Sequence, residues 1–205
     1  MTQATIAIVD DDDAVRESLQ ALLEVNGYAA VTYASAEAFL ASFRQAKARC
    51  ALVDLQMPGM DGLALLARLR ELGAALPVVM VTGHGDVPLA VKAMQAGAVD
   101  FMEKPYSHQA ILDTVQRALR SGERTTGDDQ ATVEIAGRIQ ALTPREREVL
   151  DQLVIGHPNK IIAYELKISP RTVEIHRANL MKKMQADSLS HLVRMVLAAR
   201  AGLAS

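Results

Sequence analysis

Five times in its first 120 residues the chain passes from a short apolar run to an amphipathic segment. Ala4–Val9 is aliphatic and β-branched, as a strand covered on both faces must be. Val15, Leu19, Leu22 and Leu23 then recur at helical spacing and stop at Gly27. Further strands are predicted at Tyr28–Tyr33, Arg49–Val53, Pro77–Thr82 and Ala98–Met102, and further helices at Ser35–Ala46, Asp61–Leu72, Asp86–Ala96 and Ser107–Arg120. Such alternation predicts an α/β domain: a doubly wound five-stranded parallel sheet with helices on both faces. Half of the chain is apolar and 22% is charged, which excludes a disordered chain. No run is long and apolar enough for a membrane helix, no secretory leader is seen, and the single Cys50 excludes an internal disulfide framework. A cytoplasmic, reducing location with no membrane partner is expected.

In doubly wound sheets ligands sit beyond the carboxyl ends of the strands. Here the first strand runs into Asp10, Asp11, Asp12 and Asp13, the third into Asp54, the fourth ends at Thr82, and Lys104 follows the fifth. Clustered carboxylates require a compensating cation, and oxygen-only ligands suit Mg²⁺. Each residue alone has a plainer explanation. Asp13 is the expected N-cap of the first helix and Asp12 a solvated loop residue; Asp61, Asp86 and Ser107 cap later helices. His84 sits in a Gly-His-Gly turn and is expected to be solvated, and Cys50 to be a small buried side chain. Only Asp10, Asp11, Asp54, Thr82 and Lys104 taken together exceed these readings.

Residues 121–132 are polar and without hydrophobic period, a linker or a frayed helix end, and three segments are expected: 1–120, a linker at 121–137 that can be helical, and 138–205. The charge divides at the same place. Residues 138–205 carry 11 basic and 6 acidic side chains, a balance of +5, against −7 for residues 1–137. The rear segment has no β pattern and predicts four helices. Thr143, Pro144 and Glu146 form a capping-box start, followed by Val149, Leu150, Leu153 and Val154 on one face up to Gly156. A short helix near Asn159–Leu166 turns Ile161, Ile162 and Leu166 inward, and Ser169-Pro170 opens a third helix reaching about Met184. The fourth, from Ser188, carries Leu189, Leu192, Val193, Val196 and Leu197.

A short helix, a turn and a longer basic helix make a helix-turn-helix. Val173, Leu180 and Met184 form the inner stripe of the third helix. Arg171, Glu174, Ile175, Ala178 and Lys182 share the opposite face, suited to base edges in a major groove. Lys160, Thr172, Arg177, Asn179 and Lys183 are better placed for phosphates. Charge alone leaves a protein-binding helical domain equally open.

The strings VDDDDAVRESL, VDLQMPGMDG and VTGHGDVPLAVKAMQAGAVDFMEKP resemble the receiver domain of two-component response regulators over about the first 120 residues. The resemblance implies a flavodoxin-like fold with Asp54 as phosphoacceptor. It implies Asp10 and Asp11 as the acidic pair, and Mg²⁺ (or Mn²⁺) on Asp11, Asp54 and the backbone carbonyl of Gln56. It also implies Lys104 against the phosphoryl group, Thr82 and Phe101 as the switch, and a phosphorylation-dependent homodimer face with Val87, Val91 and Met94. The stretch LTPREREVLDQLVIGHPNKIIAYELKISPRTVEIHRANLMKKM resembles the four-helix DNA-binding domain of LuxR-type transcription factors over residues 141–197. Together they resemble the NarL/FixJ family, and within it the branch that controls nitrogen-fixation genes. That implies a phosphorylation-activated transcription regulator, most simply an activator, with a FixL-like sensor histidine kinase, promoter DNA and RNA polymerase as partners. A regulator of another pathway with the same mechanism is the alternative. Glu174 stands where some relatives carry a basic residue. Self-catalysed phosphoryl transfer to Asp54 is the only chemistry expected. A phosphatase working through an aspartyl-phosphate needs a second Asp where Gln56 stands, and a signalling adaptor whose basic end binds protein is the remaining rival.

Overall fold

The computed structural model describes residues 3–83, 87–123 and 129–202, with the backbone alone at 87, 122–123, 129–132 and 201–202. The helix cap expected at Asp86 and the solvated His84 lie outside the described residues. The chain divides into two compact units: residues 1–85 with 96–125, and residues 86–95 with 126–205.

The first unit is built on strands β1 (Thr5–Val9), β2 (Ala29–Tyr33), β3 (Cys50–Asp54), β4 (Val78–Thr82) and β5 (Asp100–Glu103). All neighbours are parallel, in the order β2-β1-β3-β4-β5. The winding reverses between β1 and β3, and such a reversal opens a crevice at the carboxyl edge. Helices α1 (Asp13–Val25), α2 (Ala36–Ala46), α3 (Gly62–Glu71) and α5 (His108–Glu123) belong to this unit. On one sheet face Ile6, Ile8, Leu52, Val79 and Val81 pack with Leu19 and Leu23 of α1 and Ile111 and Val115 of α5. Every residue of β3 and β4 is buried, as strands covered on both faces require.

One glycine fixes how closely α3 approaches the sheet. A Cβ on Gly62 would stand 2.5 Å from the Asp54 carbonyl oxygen and 3.0 Å from the Leu55 Cα, both backbone atoms that cannot swing away. Gly62→Ala is therefore expected to cost at least about 2 kcal/mol, as overpacked sites do, and to displace the end of β3. Thermal unfolding of the variant checks this; an unchanged melting temperature would mean the backbone yields freely.

The second unit holds α4 (Val87–Gln95), α6 (Asp129–Gln140), α7 (Pro144–Ile155), α8 (Asn159–Glu165), α9 (Pro170–Met184) and α10 (Leu189–Gly202). Its core joins Val149, Leu150, Leu153, Ile162, Val173, Leu180, Met184, Leu192 and Val196, with Ile135 and Ile139 of α6 against it. The capping box at Thr143 and Glu146 is present, with Pro144 opening the helix. Ser169 caps α9, accepting from the Thr172 backbone N–H. Arg138 of α6 donates to the Met184 carbonyl at 3.2 Å, satisfying a carbonyl at the open end of α9. The polar stretch after residue 120 thus belongs largely to two helices, α5 and α6.

Two local expectations are corrected. Asp12, not Asp13, caps α1: its side chain accepts from the Ala14 and Val15 backbone N–H groups, and its own backbone is extended. Ile161 faces outward at 43% exposure, whereas Ile162 is fully buried. A helix of two turns offers its core a single narrow stripe, and Ile162 and Ala163 fill it.

Candidate functional site

β1 and β3 run in register, with Val9 opposite Val53, so the next residues, Asp10 and Asp54, emerge side by side at the crevice. Both are buried, at 2% and 8% exposure, while Asp11 is exposed at the rim. Carboxylate oxygens of Asp10, Asp11 and Asp54 lie within 4.8 Å of one another. Lys104 follows β5, two strands from β3, a lateral gap of about 10 Å. Its Nζ closes that gap, donating to Asp10 Oδ2 at 2.7 Å and to Asp54 Oδ2 at 2.8 Å.

The remaining oxygens are also held. Asp10 Oδ1 accepts from the Asp12 backbone N–H at 3.0 Å, and Asp54 Oδ1 from the Gln56 N–H at 3.1 Å. Burial pushes the Asp10 carboxyl above the usual range, and the nearby Asp54 charge adds to this; the hydrogen bonds from Lys104 and Asp12 oppose it. Burial opposes the charge of Lys104, but the two carboxylates outweigh it and raise its pKa. An oxygen-only set of three carboxylates, one at the rim and two below, fits a hard divalent cation that keeps several of its waters.

Thr82 is fully buried at the end of β4, and its carbonyl accepts from the Lys104 backbone N–H at 2.7 Å. Met80 pairs with Phe101 and Thr82 with Glu103, so Thr82 and Phe101 belong to the same face of the sheet. Phe101 is half-buried.

In the second unit α8 and α9 form a helix-turn-helix. Arg171, Glu174, Ile175, Ala178 and Lys182 are all exposed along one side of α9, while Val173, Leu180 and Met184 are fully buried on the other. Arg171 and Glu174 pair at 2.9 Å within that exposed face.

Residues 6–116 match the response regulator receiver domain, and residues 140–196 match the luxR family of bacterial regulatory proteins. The chain is 50% identical over 198 residues to the transcriptional regulatory protein FixJ of Rhizobium meliloti, covering 97% of each. It is 52% identical over 195 residues to FixJ of Azorhizobium caulinodans, covering 95% of this chain and 92% of that one. The crystal structure of full-length FixJ from B. japonicum superposes with a TM-score of 0.58 at 43% identity, covering 98% and 99% of the two chains.

The chain is a FixJ-like response regulator. It is a transcriptional regulator with a phosphorylatable receiver domain and a LuxR-type DNA-binding domain, not a classical enzyme. Asp10, Asp11 and Asp54 form the acidic pocket at which receiver domains bind Mg²⁺. Among the described residues of this regulator, no helix is long and apolar enough to cross a membrane.

The structure modifies several expectations for individual residues of the regulator. Lys183 does not stand free for a phosphate: its Nζ donates to Glu146 Oε2 at 2.7 Å. Glu146 is itself buried and accepts from the Thr143 backbone N–H at 2.8 Å. Arg177 is half-buried and donates to Asn159 Oδ1 at 2.6 Å, tying α9 to the start of α8. The Thr172 hydroxyl is engaged with the Ser169 hydroxyl at 2.8 Å. Lys160 and Asn179 are exposed as expected. Val91 and Met94 are 0% and 4% exposed, so they form no open face here; α4 packs against α7 and α10 within the second unit. The side chain of Val87 lies outside the described residues.

Three further residues hold the loops or charges around the carboxyl edge. Arg16 donates to the Asp10 carbonyl at 2.6 Å and pairs with Asp13, bracing the loop between them. Tyr106 has its phenol pushed up by burial, with the charges of Lys104, Asp10 and Asp54 also acting on it. Glu37 accepts from the Met60 backbone N–H at 3.0 Å. Arg16 and Asp13 stand three apart on one helix, a spacing visible in the sequence, whereas the other two contacts depend on tertiary structure.

Proposed function

We propose that this regulator accepts a phosphoryl group on Asp54 from a FixL-like sensor histidine kinase, dimerises, and activates nitrogen-fixation promoters together with RNA polymerase. The observation that carries this reading is the Lys104 ammonium held between Asp10 and Asp54 at 2.7 and 2.8 Å. A buried carboxylate beside a positioned cation is what in-line phosphoryl transfer asks of an acceptor. A carboxylate oxygen of Asp54 forms the new bond to phosphorus while the bond to the donor histidine nitrogen breaks, and the freed imidazole takes up a proton. Lys104 stands ready to neutralise the oxygens of the arriving group. Asp10 and Asp11, with Asp54 and the Gln56 carbonyl, would hold Mg²⁺ (or Mn²⁺), which supplies further neutralisation of those oxygens.

The product carries acceptor oxygens beside the end of β4, where Thr82 stands. Drawing the Thr82 hydroxyl toward them makes room for the Phe101 ring on the same sheet face, the step by which local charge becomes a change of packing. The dimer face assigned to Val87, Val91 and Met94 then requires α4 to give up its cover, since Val91 and Met94 are buried. Likeness to FixJ over nearly the whole chain supports the kinase and the promoter class.

On DNA, Arg171, Glu174, Ile175, Ala178 and Lys182 would meet base edges, and Lys160, Thr172, Arg177 and Asn179 the backbone. Arg171→Ala is expected to cost about 1–3 kcal/mol of binding and to relax sequence preference. Lys160→Ala is expected to weaken all sequences alike and lower the salt slope by about 1. Sequencing the DNA selected by phosphorylated protein, then titrating both variants against it at several salt concentrations, tests the reading. Selection of no sequence, with and without a phosphodonor, would overturn it.

A further inference from the structure

We propose that Glu37 is a positioning residue for the metal site. Its carboxylate latches the loop between β3 and α3, and so sets where that loop presents its ligand to the cation. The inference rests on the reading of Asp54 and its neighbours given above.

That loop, residues 55–61, joins Asp54 to Gly62 and is pinned by four hydrogen bonds. Near its start the Gln56 N–H donates to Asp54 Oδ1 at 3.1 Å, and Met57 is buried. At its far end the Gly62 N–H donates to the Leu55 carbonyl at 3.0 Å. These two pins lie within the segment from β3 to α3, but its start is also held from outside, where the Leu55 N–H donates to the Val81 carbonyl of β4 at 2.8 Å. The far half of the loop is held from outside by Glu37, in the first turn of α2, which accepts from the Met60 N–H at 3.0 Å across 23 residues of sequence. Gly59 makes space for this contact. Its φ is +77°, and a Cβ there would stand 2.9 Å from Glu37 Oε1.

The carboxylate is itself fixed. Besides Met60 it accepts from its own backbone N–H and from Ser35, the N-cap of α2; its own backbone bond is the largest cause of a carboxyl pKa below the usual range. Glu37 is exposed and is not among the buried residues of the core, so core packing does not explain its placement. Its hydrogen bond instead ties Met60, and through the loop the Gln56 carbonyl, to the start of α2, a helix that precedes β3 in the chain. Partners beyond the ligands themselves commonly change metal affinity by roughly 10–100-fold when removed.

The test compares wild type, Glu37→Ala and Glu37→Gln. Mg²⁺ affinity is read by calorimetry, and exchange of the Met60 amide by NMR in metal-free protein. Glu37→Ala is expected to weaken Mg²⁺ binding by about tenfold and to speed Met60 exchange. Glu37→Gln keeps an acceptor oxygen and is expected to stay near wild type in both. Glu37→Ala with wild-type affinity would overturn the proposal. So would Glu37→Gln failing as badly as Ala, because long-range charge rather than the latch would then be responsible. Wild-type protein that binds no Mg²⁺ would overturn this proposal together with the reading it rests on, whereas normal wild-type binding with an unaffected Glu37→Ala would remove only Glu37.

Discussion

Asp54→Asn is expected to incorporate no phosphoryl group from a small phosphodonor under conditions that label the wild type fully. The amide has nearly the shape of the carboxylate but no anionic oxygen to attack phosphorus. Asp10, the other buried carboxylate, does not replace it: burial raises its pKa, one oxygen accepts from the Asp12 N–H and the other from Lys104. Asp11 is exposed and has no comparable bond to Lys104 among the described contacts. Intact-mass spectrometry after treatment with acetyl phosphate reads the result directly, as the presence or absence of one phosphoryl mass. Full incorporation in the variant would move the acceptor to another residue, and with it the role given to Lys104.

The second large effect is expected far from phosphoryl chemistry. Glu146→Ala removes the reciprocal half of the α7 capping box and the partner of Lys183 at once. A cap contributes about 1 kcal/mol and a charge-assisted hydrogen bond about 1.5–3. Lys183 is partly exposed and regains water when released, so the net loss is expected near 2–3 kcal/mol. The pH dependence has a definite sign. The hydrogen bond from Lys183, then that from Thr143, hold the Glu146 carboxyl down at about 2, against 4.5 for the free group. The stabilisation is therefore complete above about pH 4.5 and is lost as pH falls from there toward 2. Melting curves across that window should fall more steeply for wild type than for Glu146→Ala. Parallel slopes would show that the carboxylate adds nothing to folding. Lys183→Ala should likewise lower the melting temperature, which a lysine free to bind phosphate would not.

Some features of this chain are set by neighbouring residues and others by partners far along the sequence. Strand runs, the residues that follow them, and the core stripe Val173, Leu180 and Met184 follow from local period and from the rule that strands end at a common edge. Those residues lie where that reasoning put them. Asp12 and Asp13 are chemically the same, and which one caps α1 depends on which backbone is extended, a matter of one torsion. Ile161 and Ile162 are likewise alike in composition, and a helix of seven residues is too short for its period to choose between them. Lys183 and Glu37 owe their roles to partners 37 and 23 residues away, contacts that exist only once helices and loops are packed. The burial of Val91 and Met94 has the same origin, since an apolar stripe does not name the surface that will cover it.

Cys50 has a practical bearing on all of these tests. It is the sole thiol of the chain, fully buried in β3, and burial pushes its pKa up to about 12. At neutral pH it offers alkylating reagents almost no thiolate and no path to it. A cysteine introduced at an open position such as Val25, 87% exposed, would thus be the single reactive handle on an otherwise native molecule. Fluorophores or spin labels can be attached without first deleting a core residue, so distances can be followed before and after phosphorylation in protein whose sheet is unaltered.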